Sequence, residues 1–206
     1  MDSKLFYKAM SEFYDLIDIV YFRDYDNSPR KVVFESIGNE EKVLDLCTGT
    51  ATNALKIAKS KPLSEVIGID LSKDMLKIAQ GKVKKSKVQN IKLYHMDATN
   101  MMFQDKFFDK ILLSLVLHEV EENLAVLAEA KRVLKDKGEI IVTEWEKSRK
   151  FSRRALFLPI DILEPKPFKS FIEKDLYRYF ERYGLKVVSE VHCDYSRVLK
   201  LKRSEY

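Results

Sequence analysis

Apolar residues recur along this chain in two alternating rhythms. Phe6, Met10, Phe13, Ile17 and Val20 fall at helical spacing, so residues 3–22 read as one amphipathic helix. A short helical stretch follows Asn27-Ser28-Pro29. Compact apolar runs of strand length then appear at 42–47, 65–69, 91–95, 108–114 and 139–143. Helical patterns at 52–60, 72–84 and 122–135 separate most of them. Ser72 is placed to cap the second of these helices, with Asp74 favourable in its first turn. Near-continuous apolar strands interleaved with helices predict a parallel sheet covered on both faces.

The last fifth of the chain breaks this rhythm. Residues 173–183 read as a helix closed by Gly184, a residue suited to a left-handed stop. Two strand-like runs, 185–192 and 196–202, are joined only by Cys193-Asp194-Tyr195. So short a link carries no parallel crossover, so the two strands pair antiparallel.

Composition narrows the class rather than the function. The 206 residues, 46% hydrophobic and 33% charged, fit one soluble globular domain with a substantial core. The longest apolar run, 111–117, is too short to span a bilayer, and no secretory leader is evident. Cys47 and Cys193 imply neither a disulfide framework nor a metal knuckle, so a cytoplasmic location is expected. A net charge of +5 is modest, and reads chiefly as a solvated surface.

The chemistry gathers at strand ends. Asp45, Asp70 and Asp97 each close, or lie just beyond, an early strand: VLDLC, VIGID and LYHMD. Ligands of open parallel sheets bind outside the carboxyl ends of the strands, and a carboxylate suits a ribose diol. One acid after a strand is often only a turn former or a helix cap; three in register point to a site. The turn between the first strand and helix, CTGTA, has one glycine, whereas a pyrophosphate site needs a glycine-rich turn. A nucleoside without phosphates is therefore expected in preference to NAD or FAD.

VLDLCTGTATNAL, IGIDLSKDMLKIA, YHMDATNM, FDKILLSLVLHEV and AKRVLKDKGEIIVTEW, in this order and spacing, resemble the class I S-adenosylmethionine-dependent methyltransferases. Within them the sequence is most similar to the group containing the ubiquinone and menaquinone biosynthesis C-methyltransferases, over about residues 10–202. Cys47 and Ala51 stand where that family usually has glycines. The resemblance implies an α/β fold with a Rossmann-like seven-stranded sheet, mostly parallel, with a C-terminal antiparallel hairpin and helices on both faces. A single domain would comprise a cover helix at 1–27, a cofactor-binding core at 28–146, an acceptor-side insertion at 147–171 and the last helix and hairpin at 172–206.

By position, the resemblance assigns Cys47, Thr48, Gly49 and Thr50 to the methionine moiety, with Asp45 orienting the loop or the amino group. Asp70 would accept both ribose hydroxyls, Leu71 and Met75 would pack near the adenine, and Asp97 and Ala98 would meet its polar edge. Ser114 would face the methionine portion, and Tyr14 and Tyr21, on one face of the cover helix, would form a lid. His118 and Glu144 are the candidate catalytic groups; packing and solvation are their bland alternatives. The final hairpin is expected at the sheet end opposite the cofactor, which would set aside His192, Asp194 and Tyr195.

The basic, then apolar, segment 149–171 suits cover for a small, lipid-like acceptor, with at most peripheral membrane contact. An RNA or protein methyltransferase and a non-catalytic S-adenosylmethionine-binding protein stand as the alternatives. No nucleic-acid-binding module is apparent.

Overall fold

A computed structural model describes residues 28–118, 123–147, 171 and 173–204. The described elements run α1 (Pro29–Glu35), β1 (Lys42–Leu46), α2 (Thr52–Ser60), β2 (Glu65–Asp70), α3 (Lys73–Ser86), β3 (Ile91–His95) and β4 (Phe108–Ser114). They continue with α4 (Asn123–Val133), β5 (Leu134–Trp145), α5 (Leu176–Glu181), β6 (Leu185–Cys193) and β7 (Ser196–Arg203). The cover helix expected at 3–22, with Tyr14 and Tyr21, and nearly all of the 147–171 insertion lie outside the described residues.

Local chemistry sets the helix ends. Ser28 caps α1 through Arg30 N–H, and Pro29 takes the first helical position, where no donor is needed. Ser72 caps α3 by accepting from Met75 N–H, with Asp74 in the first turn and Lys84 and Lys85 in the last. Asp175 caps α5 through Arg178 N–H. Gly184 adopts the expected left-handed backbone at φ 65°, three residues beyond α5.

All seven strands form one sheet in the order β3-β2-β1-β4-β5-β7-β6. The first five are parallel, and β7 is antiparallel to both of its neighbours. Burial follows the pattern of strands covered on both sides: Val43, Leu44, Asp45 and Leu46 of β1 are all buried. One face packs Val126, Leu127 and Ala130 of α4 and Leu176 and Phe180 of α5. The other packs Val33 of α1, Ala54 and Ile57 of α2 and Ala79 of α3. β5 begins at Leu134, ahead of the expected run, with a register shift against β4 between Phe108 and Lys110.

The order reverses at β1: β2 and β3 extend to one side, β4 and β5 to the other. A crevice therefore opens over the carboxyl ends of β1 and β4, because the connections after them diverge to opposite faces.

The final hairpin corrects an expectation. Trp145, at the carboxyl end of β5, pairs with Ser196, the first residue of β7, and Glu146 N–H donates to Tyr195 O at 2.8 Å. Because β7 runs antiparallel to β5, the turn at Asp194–Tyr195 lies at the same rim as the strand-end acids. It brings His192 there, with Nδ1 2.7 Å from Glu146 Oε2.

Gly68, in the middle of β2, holds the rim together by being small. A Cβ there would lie 2.8 Å from Leu93 Cδ2 and 3.0 Å from Thr48 Cγ2 and Oγ1. Gly68→Ala is expected to push Thr48 from its seat and lower stability by about 1–3 kcal/mol. Chemical denaturation of the two proteins checks this; equal midpoints would refute it.

Candidate functional site

The turn after β1 has an unusual backbone. Cys47, Gly49 and Ala51 all have positive φ, at 54°, 55° and 58°. These are the alternate positions at which glycines are expected, so the turn keeps the left-handed pattern although two of the three carry a Cβ. For a side-chain-bearing residue that conformation costs roughly 1–2 kcal/mol. Gly49 alone adopts it freely, and among the described residues beyond its chain neighbours no atom lies within 4 Å of where its Cβ would stand. Thr48 N–H donates to Ile69 O at 2.9 Å, holding the turn against β2.

Two acids organise this turn from below and beside. Asp45 is 2% exposed and accepts from Thr48 Oγ1 at 2.6 Å. Burial pushes its carboxyl up to about 6, against the opposing pull of the Thr48 and Ala54 hydrogen bonds, and nearby Asp70 adds to the rise. Asp70 bridges two chain segments: Oδ2 accepts from Gly49 N–H and Oδ1 from Ser72 N–H, each at 2.8 Å. The Gly49 amide, which in a phosphate-binding turn would meet a phosphate oxygen, faces a carboxylate instead. A phosphate there would meet two acids, whereas a cationic nucleoside is favoured.

Further along the rim, Leu71 is 57% exposed and available to an aromatic base, while Met75 is 7% exposed and packed into the core. Asp97 is exposed, and its Oδ1 takes both the N–H and the hydroxyl of Thr99 at 2.8 Å; Ala98 beside it is buried. Ser114, at the end of β4, accepts from Asn53 Nδ2 at 3.1 Å.

The two catalytic candidates form one buried pair. His118 Nδ1 lies 2.6 Å from Glu144 Oε2, and both side chains are 1% exposed. Facing a carboxylate oxygen, Nδ1 carries the proton and donates it. Glu144 Oε1 accepts from Leu117 N–H at 2.9 Å, so the acid anchors the loop that follows β4. That loop turns sharply at Leu115, whose φ is 58°. The pair thus spans the carboxyl ends of neighbouring strands.

Other polar residues at the rim escaped the sequence reading. Arg30 Nε donates to Asn53 Oδ1 at 3.1 Å, extending the Asn53–Ser114 contact into a chain from α1 to β4. Lys82 Nζ donates to Thr50 Oγ1 at 2.9 Å and to Thr52 Oγ1 at 3.4 Å. The one available signal was Asn53, a polar residue two positions into a helix that otherwise packs apolar residues inward. Its partner could be known only once β4 lay beside β1.

Comparison with known proteins is consistent across sequence and fold. A family described as a methyltransferase domain matches residues 37–182. A demethylmenaquinone methyltransferase of Geobacillus sp. (strain WCH70) is 36% identical over 118 residues, 57% of this chain and 50% of that protein. One from Staphylococcus saprophyticus is 36% identical over 141 residues, 67% of this chain and 60% of that protein. The chain thus spans between half and three fifths of the length of these curated relatives. Among solved structures, a SAM-dependent methyltransferase from Aquifex aeolicus superposes with a TM-score of 0.76, covering 94% of this chain and 97% of that one at 22% identity. At that identity the likeness speaks for the fold.

The buried Asp45 generates a pH-dependent expectation. Its folded-state pKa of about 6 lies above the ordinary carboxylate range, so between roughly pH 4 and 6 the folded protein holds a proton that the unfolded chain releases. Stability therefore falls as pH rises through that window. Asp45→Asn should raise stability at pH 8 by on the order of 2 kcal/mol, and by much less at pH 4.5. Urea unfolding at both pH values checks the sign; a variant less stable at pH 8 would mean the ionised acid is held by its hydrogen bonds.

Proposed function

This chain belongs to the methyltransferase-domain family, and on that premise we propose that it uses S-adenosylmethionine to methylate a small, apolar, quinone-like acceptor. The observation that carries the cofactor reading is the pairing of the Gly49 amide with the Asp70 carboxylate. A strand-to-helix turn built this way repels phosphate and suits a phosphate-free nucleoside bearing positive charge. When bound, S-adenosylmethionine supplies a methyl group already activated by its sulfonium, so placement is the protein's main contribution.

The residues divide that task. The Asp70 carboxylate, which accepts from two backbone amides at the rim, is the group we assign to the ribose diol. The side of Gly49 that the described residues leave open accommodates the amino-acid tail beside Cys47, Thr48 and Thr50, above the charge of Asp45. Leu71, Met75, Asp97 and Ala98 form the base end, and Ser114 with Asn53 closes the opposite end.

His118 and Glu144 serve the acceptor. With Nδ1 donating to Glu144, the imidazole carries its lone pair at the buried Nε2, the tautomer a general base requires. We assign that nitrogen to taking a proton from an acceptor hydroxyl, with Glu144 stabilising the imidazolium that results. The relatives named demethylmenaquinone methyltransferases support a quinone-like ring as the acceptor class. Among the described residues no helix is long and apolar enough to cross a membrane.

Calorimetry should find S-adenosylmethionine binding without NADH binding; no cofactor binding at millimolar concentration would sink the reading. Asp70→Ala should weaken cofactor binding by about 1–3 kcal/mol and, by leaving the Gly49 and Ser72 amides without their acceptor, also lower the unfolding temperature of a chain that still folds. His118→Gln should keep cofactor affinity yet lower turnover to S-adenosylhomocysteine by about 10²–10⁴-fold, with a reduced naphthoquinone as acceptor. Unchanged turnover would return His118 to a packing role.

A further inference from the structure

Tyr179 presents a buried group that the fold does not use. Its side chain sits in the apolar cluster with Val116, Leu117, Phe171 and Phe180, and it is 9% exposed. Its hydroxyl is buried and has no hydrogen-bond partner among the described residues. An unsatisfied buried hydroxyl costs folding free energy, and native proteins keep few of them. Phenylalanine would fill the same space without that cost, so the oxygen calls for a function.

The surroundings point to one. The Tyr179 ring meets Phe171 edge-on at 5.6 Å, Phe180 at 5.2 Å and Tyr183 at 5.3 Å between centroids. Lys174 Nζ stands 5.0 Å from the Phe171 centroid and 5.4 Å from that of Tyr179. This nest of rings packs closely around the hydroxyl, with Phe171 only 3% exposed. Its position also fits. β6 runs in the same direction as β5, so α5, which precedes it, descends from the carboxyl rim toward the far end of the sheet. Helical side chains lean toward the helix N-terminus, here the rim. Burial chiefly, then nearby Tyr183 and Glu144, hold the phenol in its protonated, donating form.

We propose that the Tyr179 hydroxyl is the hydrogen-bond donor for a ring-borne oxygen of a flat, apolar acceptor, held in the nest formed with Phe171 and Tyr183. This deepens the methyl-transfer reading and rests on it for the identity of the occupant. Tyr179 thereby becomes the residue that distinguishes an oxygen-bearing ring from a plain hydrocarbon of the same shape. An oxygen brought by the ligand satisfies a donor that the described residues leave unmatched, so a hydrocarbon of the same shape is discriminated against.

The test uses the full chain and two isosteric probes, 2-acetylnaphthalene with one carbonyl oxygen and 2-isopropylnaphthalene with none. Equilibrium dialysis should show the wild type preferring the ketone by roughly fivefold or more. Tyr179→Phe should abolish that preference, leave S-adenosylmethionine affinity unchanged, and unfold at the same or a higher temperature. A variant that keeps the preference overturns the proposal. So does a variant that melts several degrees lower, since that outcome gives the hydroxyl an internal structural partner such as an ordered water. Cofactor affinity is measured separately, so its absence in the wild type would defeat the methyl-transfer reading while the probe comparison still decides the role of Tyr179.

Discussion

The carboxylate of Asp70 ties together two backbone reversals that would otherwise move independently. One oxygen holds Gly49 N–H in the turn after β1, and the other holds Ser72 N–H at the start of α3. Both amides belong to chain that has just left a buried parallel strand, where unpaired donors are expensive. Satisfying them with one acid sets the spacing between the first two strand ends. That spacing positions Gly49 and Leu71. The rest of the rim is arranged around that fixed point.

A second theme is buried negative charge. Asp45 lies beneath the turn and Glu144 beneath the loop after β4, each at or below 2% exposure. Their partners differ, and so does their chemistry. Asp45 has a hydroxyl and a backbone amide, too little to offset desolvation, so its carboxyl is raised. Glu144 accepts from the Leu117 amide and faces the His118 imidazole, so it fixes the loop and the ring together. One rim thus combines an acid suited to sensing a cationic ligand with an acid suited to tuning a base.

The left-handed turn shows how a motif can persist without its usual residues. Glycine at alternate positions is one way to reach positive φ there; Cys47 and Ala51 reach it with a side chain attached. The surrounding contacts, Thr48 against Gly68 and Asp70 against Gly49, over-determine the conformation and absorb its cost. The turn disfavours a dinucleotide for a reason its glycine count does not contain: the central amide is already bonded to a carboxylate.

Much of the fold was legible in periodicity. Apolar runs marked the central strands, because strands covered on both faces must be apolar nearly throughout, whereas the edge strands β3 and β6 are partly exposed. Ser28 and Ser72 marked helix starts through local backbone chemistry alone. The three strand-end acids were legible for the same local reason. The end of the sheet at which the hairpin turns was not, since it depends on which strand β7 joins and in which direction. Nor were the meeting of His118 with Glu144, the Arg30–Asn53–Ser114 chain or the enclosure of the Tyr179 hydroxyl. By itself the sequence determined which segments become strands and helices and which acids sit at their ends, because those depend on neighbours a few residues apart. Only the tertiary structure decided which side chains share a site, because that follows from strand order, and strand order is set by packing between segments distant in the chain.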